Sequence, residues 1–401
     1  MAVTIYDEPQ LISPAGNPLM FTFSSDQTGQ DNFSFIIEVY VNSALHSTHQ
    51  VFRQFGTLSK FDCSGILAST LSSPLIVDGT LTTFYDSAIN EYEITVYEKY
   101  GATPAIQANA SSSTRYAFNG SLRHQDWIDF DYQDYNSLGG SPNIPVLFLS
   151  YWPRDKKFFC GLTERVFLGI FCTDTNIYAR ARVYDINNNL LDGDIISATL
   201  NDLTVFDVSP STIVANSTIT QGTFDSAAYY TIETMELGIM PPTFNVTSEA
   251  FRIDIDTECK RYETRRLHWL NKFGVWDSFT FSLVSIDSST VQSYGYQREK
   301  GIWDGTSYTY PLYQGEKTTF AKTASDQLVL NSDFIKQEVQ QWLVRGLYES
   351  PVVYLEVEDG TEFEPVNVTN SNYQFKTRRR DGLIQEQITI ERTYTYTSQL
   401  N

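Results

Sequence analysis

The strongest constraint on the fold is a strict alternation of apolar and polar residues along much of the chain. One such segment places five apolar side chains on one face, namely Phe33, Phe35, Ile37, Val39 and Val41. The same pattern recurs at residues 92–97, 251–256 and 279–283. Because successive side chains of a strand point to opposite faces, each segment predicts a strand with one buried and one wet face.

Composition and turn signals extend this prediction to the whole chain. The 401 residues include 25 tyrosines and 26 phenylalanines, which favour strands. Pairs such as Asn119-Gly120 and Asp304-Gly305 separate the alternating segments and are typical of tight turns. The sequence therefore predicts an all-β protein with several antiparallel β-sandwich domains, either Ig-like or jelly-roll-like.

One segment, residues 331–351, has helical periodicity instead. Its apolar residues share one stripe and are Phe334, Ile335, Val339, Trp342, Leu343 and Leu347. Ser332 or Asp333 is a suitable N-cap, and Ser350-Pro351 ends the pattern. We predict one prominent C-terminal helix at about residues 333–349, lying on a sheet.

The length predicts more than one domain. A Gly-, Ser- and Asn-rich stretch at residues 135–145 resembles a linker. We predict an N-terminal β-sandwich at residues 1–140, a middle β-sandwich at 141–265 and a C-terminal β-rich domain at 266–401.

Charge and cysteine content restrict the partners. A formal net charge of −20 disfavours binding to nucleic acid or to an anionic membrane. The sequence shows no secretory signal and no apolar run long enough to span a membrane. Its four scattered cysteines do not form a disulfide framework, so buried free thiols are the simpler interpretation.

The stretch RLHWLNKFGVWDSF, residues 266–279, contains both residue types found in catalytic sites and residue types found in tight turns. His268, Asp277 and Ser278 are the residue types of a hydrolytic triad, but nothing nearby supplies an oxyanion hole. Asn271 and Gly274 instead indicate a tight turn between two strands. We therefore predict a structural hairpin or domain junction, formed by Trp269, Asn271, Gly274, Trp276 and Asp277.

Other catalytic or cofactor signatures are not found in the sequence. It has no nucleophile elbow, P-loop or dinucleotide fingerprint, and its four histidines lack metal-ligand spacing. Calcium stays an open alternative at residues 185–194, where oxygen ligands are plentiful, although a polar hairpin explains this loop equally well. We predict no enzyme activity, no cofactor and no catalytic or metal-binding residues.

Two aromatic clusters are candidate contact surfaces. One surrounds Trp127 and Tyr132, among several aspartates, and the other contains Trp303, Tyr308 and Tyr310. Exposed aromatic rings can stack on sugars or fill a protein interface. Cross-strand pairing within a sheet is the structural alternative for both.

Two stretches carry a family resemblance. The first runs from Ile12 to Leu67, with an S-P-x-x-N-P start and a later F-D-x-S element. The second, Cys259 to Ser282, contains the core W-L-N-x-x-G-x-x-D-x-F-x-F. Both resemble virion proteins of tailed phages that infect Bacteroidota, often described as tail-associated or baseplate structural proteins. The segment after the predicted helix is similar to this group as well.

The resemblance implies a role class and no catalytic residue. We expect a non-enzymatic structural component of a phage tail, baseplate or neck that forms a ring of copies and docks other virion proteins. Its location would be the virion, after assembly in the bacterial host cytoplasm. The alternative is a carbohydrate- or receptor-binding module at the tail tip, with a host surface glycan as partner.

Overall fold

The computed structural model describes residues 3–53, 58–77, 79–137, 145–173, 177–197, 202–237, 244–257, 261–357, 360–369 and 383–397. The chain divides into two compact units. The first contains Met1–Thr257 and Trp269–Ser278, and the second contains Glu258–His268 and Phe279–Asn401. The fold is mostly β, which confirms the all-β sandwich prediction.

The strands that precede residue 257 all belong to the first unit. They are β1 (Val3–Asp7), β2 (Ile12–Pro14), β3 (Met20–Ser25), β4 (Ser34–Val41), β5 (Ala44–Phe52), β6 (Ser59–Asp62), β7 (Thr82–Phe84), β8 (Ile89–Tyr100), β9 (Ala105–Ser111), β10 (Arg115–Phe118), β11 (Asn136–Ser137), β12 (Phe158–Cys160), β13 (Phe167–Cys172), β14 (Ile177–Tyr184), β15 (Leu190–Ser197), β16 (Asp202–Asp207), β17 (Tyr229–Leu237), β18 (Phe244–Val246) and β19 (Phe251–Ile255). Short helices connect them: α1 (Ser64–Ala68), α2 (His124–Ile128), a 3-10 turn (Tyr132–Tyr135), α3 (Pro210–Asn216) and α4 (Gln221–Asp225).

The first unit begins with a two-sheet sandwich. One sheet has the strand order β1-β3-β6, and the other has the order β2-β10-β8-β4-β5, with β9 added to β8. Alternate residues of the facing strands form one core, for example Phe23 against Phe35, whose ring centroids are 4.9 Å apart. The alternating face predicted for residues 33–41 is buried in this core.

A second pair of sheets completes the first unit. Their strand orders are β11-β13-β16-β7 and β12-β19-β17-β14-β15, with β18 added to β17. Tyr230 of β17 donates a hydrogen bond of 2.8 Å to the carbonyl of Val208, which follows β16, and so links the two sheets. The prediction of buried free thiols is confirmed for the three described cysteines, Cys63, Cys160 and Cys172.

The predicted boundary near residue 140 differs from the observed division. β7 lies in the sequence among strands of the first sandwich, yet it pairs with β16 of the second. The amide of Tyr85 donates to the carbonyl of Leu203 at 2.9 Å and continues this link. Because backbone hydrogen bonds join the two sandwiches, residues 1–257 form one unit. Most of the proposed linker, residues 138–144, lies outside the described residues.

The remaining elements are largely those of the second unit. They are β20 (Arg265–Leu270), β21 (Trp276–Phe281), β22 (Ile286–Gln297), β23 (Ile302–Trp303), β24 (Tyr308–Thr309), a 3-10 turn (Leu312–Gln314), β25 (Lys317–Asn331), β26 (Ile335–Lys336), α5 (Gln337–Tyr348), β27 (Val353–Val357), β28 (Glu362–Val368), β29 (Leu383–Ile384) and β30 (Gln387–Thr397). The division between the units passes through β20 and β21.

A seven-stranded sheet of order β21-β20-β27-β28-β30-β25-β22 dominates the second unit. Its helix, α5, places Trp342 against Phe279 of β21, with ring centroids 6.4 Å apart. Val339, Leu343 and Leu347 of the predicted stripe are buried as well. Among the described residues, no helix is long and apolar enough to span a membrane.

The predicted helix start at about residue 333 is wrong by four residues. Ser332 does not act as the N-cap, because its hydroxyl accepts a hydrogen bond of 2.8 Å from the amide of Glu386. Ile335 and Lys336 are extended and pair with β29. Pairing with a distant strand therefore outweighs the local helical pattern at this end, and Phe334 is left exposed.

Candidate functional site

The stretch at residues 266–279 forms a hairpin with a tight turn. Asn271 Oδ1 accepts hydrogen bonds from the amides of Phe273 (2.9 Å) and Val275 (3.3 Å), which closes the turn. Gly274 has φ +72°, so the prediction of a positive φ at this glycine is confirmed. A Cβ at Gly274 would lie 1.9 Å from the carbonyl oxygen of Asn119. Glycine is therefore required both by the backbone angle and by the close approach of a neighbouring segment.

The tip of this hairpin, Trp269–Ser278, joins the two sandwiches of the first unit. On one side, Trp276 Nε1 donates to the carbonyl of Pro74 at 3.2 Å. The amide of Ser121 donates to the carbonyl of Lys272 at 2.9 Å on the same side. On the other side, Asn271 Nδ2 donates to the carbonyl of Leu149 at 2.9 Å.

Aromatic packing reinforces the contact on the side of Leu149. The ring of Phe273 lies 4.9 Å from that of Tyr135 and 4.7 Å from that of Tyr151. Trp269 and Trp276 are only 0% and 2% exposed. Both tryptophans are therefore packed within the chain and offer no surface to a partner.

His268, the histidine of the hypothetical hydrolytic triad, has a carboxylate partner within the second unit. His268 Nε2 lies 2.6 Å from Glu356 Oε2, and both side chains are buried. The guanidinium of Arg266 lies 3.8 Å from the same carboxylate oxygen and donates to Thr280 Oγ1 at 2.6 Å. The Glu356 carboxylate is thus buried beside His268 and Arg266, and these contacts reduce the cost of burying its charge. Asp277 and Ser278 fall in the first unit.

The aromatic cluster near Trp127 is largely part of the scaffold. Trp127 stacks on Phe130 with ring centroids 6.2 Å apart, and Phe130 stacks in turn on Tyr135 at 5.9 Å. Phe130 is buried, while Trp127 and Tyr132 are half-buried. Gln10 Nε2 donates to the carbonyl of Phe130 at 2.8 Å and fixes this segment. Little aromatic surface is left here for a ligand.

The second cluster lies on a large exposed structure that we call the arm, defined as residues 286–325 together with Thr393–Thr397. β22, the first half of β25 and the end of β30 form its three-stranded part. All twelve residues of β22 are exposed, although a strand in a packed sheet normally buries at least one face. The arm bears nine aromatic side chains that are each 41–85% exposed, namely Tyr294, Tyr296, Trp303, Tyr308, Tyr310, Tyr313, Phe320, Tyr394 and Tyr396.

The end of the arm is a small hairpin of β23 and β24 that carries the predicted contact aromatics. Trp303 and Tyr308 face each other with ring centroids 5.5 Å apart, and Tyr310 stacks on Tyr308 at 6.5 Å. Trp303 is 55% and Tyr310 75% exposed. Tyr308 donates to Glu299 at 2.7 Å, and this bond raises the pKa of Tyr308. The three rings form an open aromatic surface.

The arm as a whole was missed by the sequence reasoning, which treated its aromatics as an isolated cluster. One signal was present: Ile286–Gln297 has strand-forming residues but no continuous apolar face. A strand without a continuous apolar face cannot pack against a hydrophobic core on either face of its sheet.

No metal centre is found in the described part of the chain, where no three His, Cys, Asp or Glu residues are grouped to hold an ion. The acidic loop at residues 185–194 is organised by its own hydrogen bonds. Asp185 accepts hydrogen bonds from the Asn189 side-chain Nδ2 and from the backbone amides of Asn189 and Asn187, each at 2.8 Å, and these bonds lower the pKa of Asp185. The loop forms the turn of the β14–β15 hairpin.

No protein-family model and no curated protein matches the chain.

Proposed function

We propose that the protein is a non-enzymatic structural component of a bacteriophage virion, in the tail, baseplate or neck, where copies form a ring and dock other virion proteins. The observation that carries this proposal is the exposed arm. A β-rich arm with nine exposed aromatic side chains is typical of a surface that another protein covers.

Two further observations support an assembly role. The one stretch with triad-type residues supplies structural contacts instead, since Asn271 and Gly274 form its turn and Trp276 anchors it to Pro74. The same stretch carries the resemblance to phage virion proteins. Both agree with a protein that works through its surfaces, and neither requires a substrate.

The test is to locate the chain in particles of the phage that encodes it. We expect an antibody against the protein to label purified virions at one fixed position, and negative-stain images of the isolated protein to contain rings. Antibody against the major capsid protein serves as the positive control for particle integrity. Purified virions that lack the chain would refute the proposal.

Carbohydrate binding at the arm's end is the second candidate, favoured by the open surface of Trp303, Tyr308 and Tyr310. Stacking on a sugar ring would use the exposed faces of these aromatics. We expect Trp303→Ala to abolish glycan-array binding and Trp127→Ala to leave it unchanged, because Trp127 is half-buried against Phe130. Wild-type protein that binds no glycan on a broad array would contradict this candidate.

A further inference from the structure

The outer edge of β22 is an unusually open strand edge. β22 is the last strand of the seven-stranded sheet, so β25 is its one neighbour in the described sheet. It is twelve residues long and contains no lysine, arginine or proline, and Asp287 is its single charged residue. Natural proteins normally block such edges with charges, prolines or short strands, because an open edge pairs with other chains.

Some other edge strands of the protein are blocked in this way, but β5, an edge strand of nine residues, also lacks lysine, arginine, aspartate, glutamate and proline. β15, at one edge of its sheet, carries Asp192 and Asp194 within eight residues. β21, at the opposite edge of the β22 sheet, is only six residues long and contains Asp277. Compared with β5, β22 is longer and every one of its residues is exposed, so its edge is the more open of the two for pairing.

The charge of the arm indicates which partner fits. The formal net charge of the whole chain is −20. Residues 286–325 contain four basic and four acidic side chains, so this part is neutral, and these residues are Arg298, Lys300, Lys317, Lys322, Asp287, Glu299, Asp304 and Glu316. Two copies of so acidic a protein repel each other over most of their surfaces. The arm is a surface on which two copies can meet without that repulsion.

The area available is large enough for a stable contact. At roughly 200 Å² for each aromatic side chain, the nine exposed aromatics of the arm present about 1,000 Å² to solvent. A stable protein interface takes roughly 800 Å² from each partner. The aromatic surface of the arm alone therefore reaches the size that a dimer contact requires.

We propose that β22 pairs antiparallel with β22 of a second copy of this chain, around a two-fold axis, and that the arm aromatics pack across this contact. Antiparallel pairing of one strand with its own copy is self-complementary, as two-fold symmetry demands. The pairing joins the two seven-stranded sheets through backbone hydrogen bonds. This inference rests on the proposed function in one respect, namely that copies of the chain associate. It does not require the protein to be part of a virion.

The first test is self-association of the full-length protein, measured by analytical ultracentrifugation over a wide concentration range. Val291 lies near the middle of β22 and is 55% exposed, next to Thr290, so we expect Thr290→Lys/Val291→Lys to weaken dimerisation at least tenfold. The matched control is Thr48→Lys/Gln50→Lys, which adds the same charge to β5, the exposed edge strand of another sheet. We expect this control to dimerise like the wild type, and both variants to keep the wild-type melting temperature at a protein concentration low enough for the wild type to be monomeric.

The second test does not depend on adding charge to the strand. Single cysteines are introduced in turn at residues 287–293 in a Cys259→Ser background, since the other three cysteines are buried. Two-fold antiparallel pairing brings one position opposite its own copy, so we expect disulfide-linked dimers to peak at that one residue, because a cysteine two positions away would lie roughly 13 Å along the strand from its own copy. Uniformly absent cross-links would overturn the proposal, as would a monomeric wild type or equal dissociation of the two lysine variants. If the protein is incorporated into virions but fails these tests, the proposed function still holds and the β22 contact does not.

Discussion

Gly274→Ala provides a direct test of the hairpin junction. The substitution forces alanine into a backbone with φ +72° and places its Cβ 1.9 Å from the carbonyl oxygen of Asn119. The left-handed backbone costs about 1–2 kcal/mol, and displacing the packed Asn119 segment costs a further ~1–3 kcal/mol. We expect the free energy of unfolding of the first unit to fall by about 2–5 kcal/mol.

Gly79→Ala is the matched control for the backbone term. Gly79 has nearly the same angle, φ +70°, and lies in the same unit. Its Cβ would meet only the end of the Arg165 side chain, at 3.3 Å, and a small shift of this side chain is enough to accommodate it. We therefore expect a loss of about 1–2 kcal/mol from the backbone angle alone.

The assay is urea unfolding, with hydrogen–deuterium exchange of peptides to assign each transition to its unit. The difference between the two variants measures the close approach of the hairpin to Asn119. Equal destabilisation by Gly274→Ala and Gly79→Ala would refute the reasoning, because it would show that the hairpin tip is not held tightly against that segment.

Two further predictions concern the second unit. Trp342→Ala will lower its free energy of unfolding by about 3–5 kcal/mol, because Trp342 is buried against Phe279, whereas the exposed Phe334→Ala serves as a control with little effect. An unchanged unfolding midpoint for Trp342→Ala would contradict core packing of α5. Asp304 accepts hydrogen bonds from the amides of Ser307 and Thr306, which lower its pKa below the usual 3.8. The hydrogen bonds to the Asp304 carboxylate therefore stabilise the turn at the end of the arm above pH 3.8, and this stabilisation is lost as the pH falls through the lowered pKa. We expect the NMR chemical shifts of these two amides to titrate below pH 3.8. A midpoint at or above that value would show that the hydrogen bonds do not form in solution.

Much of the fold was predictable because its signals are local. Alternation at residues 33–41 reports burial of one strand face directly, and the structure buries that face. The turn at Gly274 was equally accessible, since a glycine after Asn271 between two strands satisfies a positive φ that other residues resist. The helical stripe gave α5 correctly in its interior, where Trp342 and Leu343 are buried.

The errors arose where distant segments compete with local preference. Ser332 is a good N-cap by local chemistry, but it bonds to Glu386, and the extended Ile335–Lys336 precedes the helix, which begins at Gln337. β7 has no sequence feature that assigns it to β16, more than a hundred residues away, and this pairing joins two predicted domains into one unit.

The sequence by itself therefore determined the all-β class, the hairpin turn and the core of the helix, because periodicity and backbone angle are properties of neighbouring residues. Only the tertiary structure decided that Trp269 and Trp276 are buried within the chain and that the aromatics near Trp303 lie on an open arm. The exposure of a side chain depends on which segments pack together. An aromatic residue in a strand has the same local sequence pattern whether it is buried in a core or exposed to solvent.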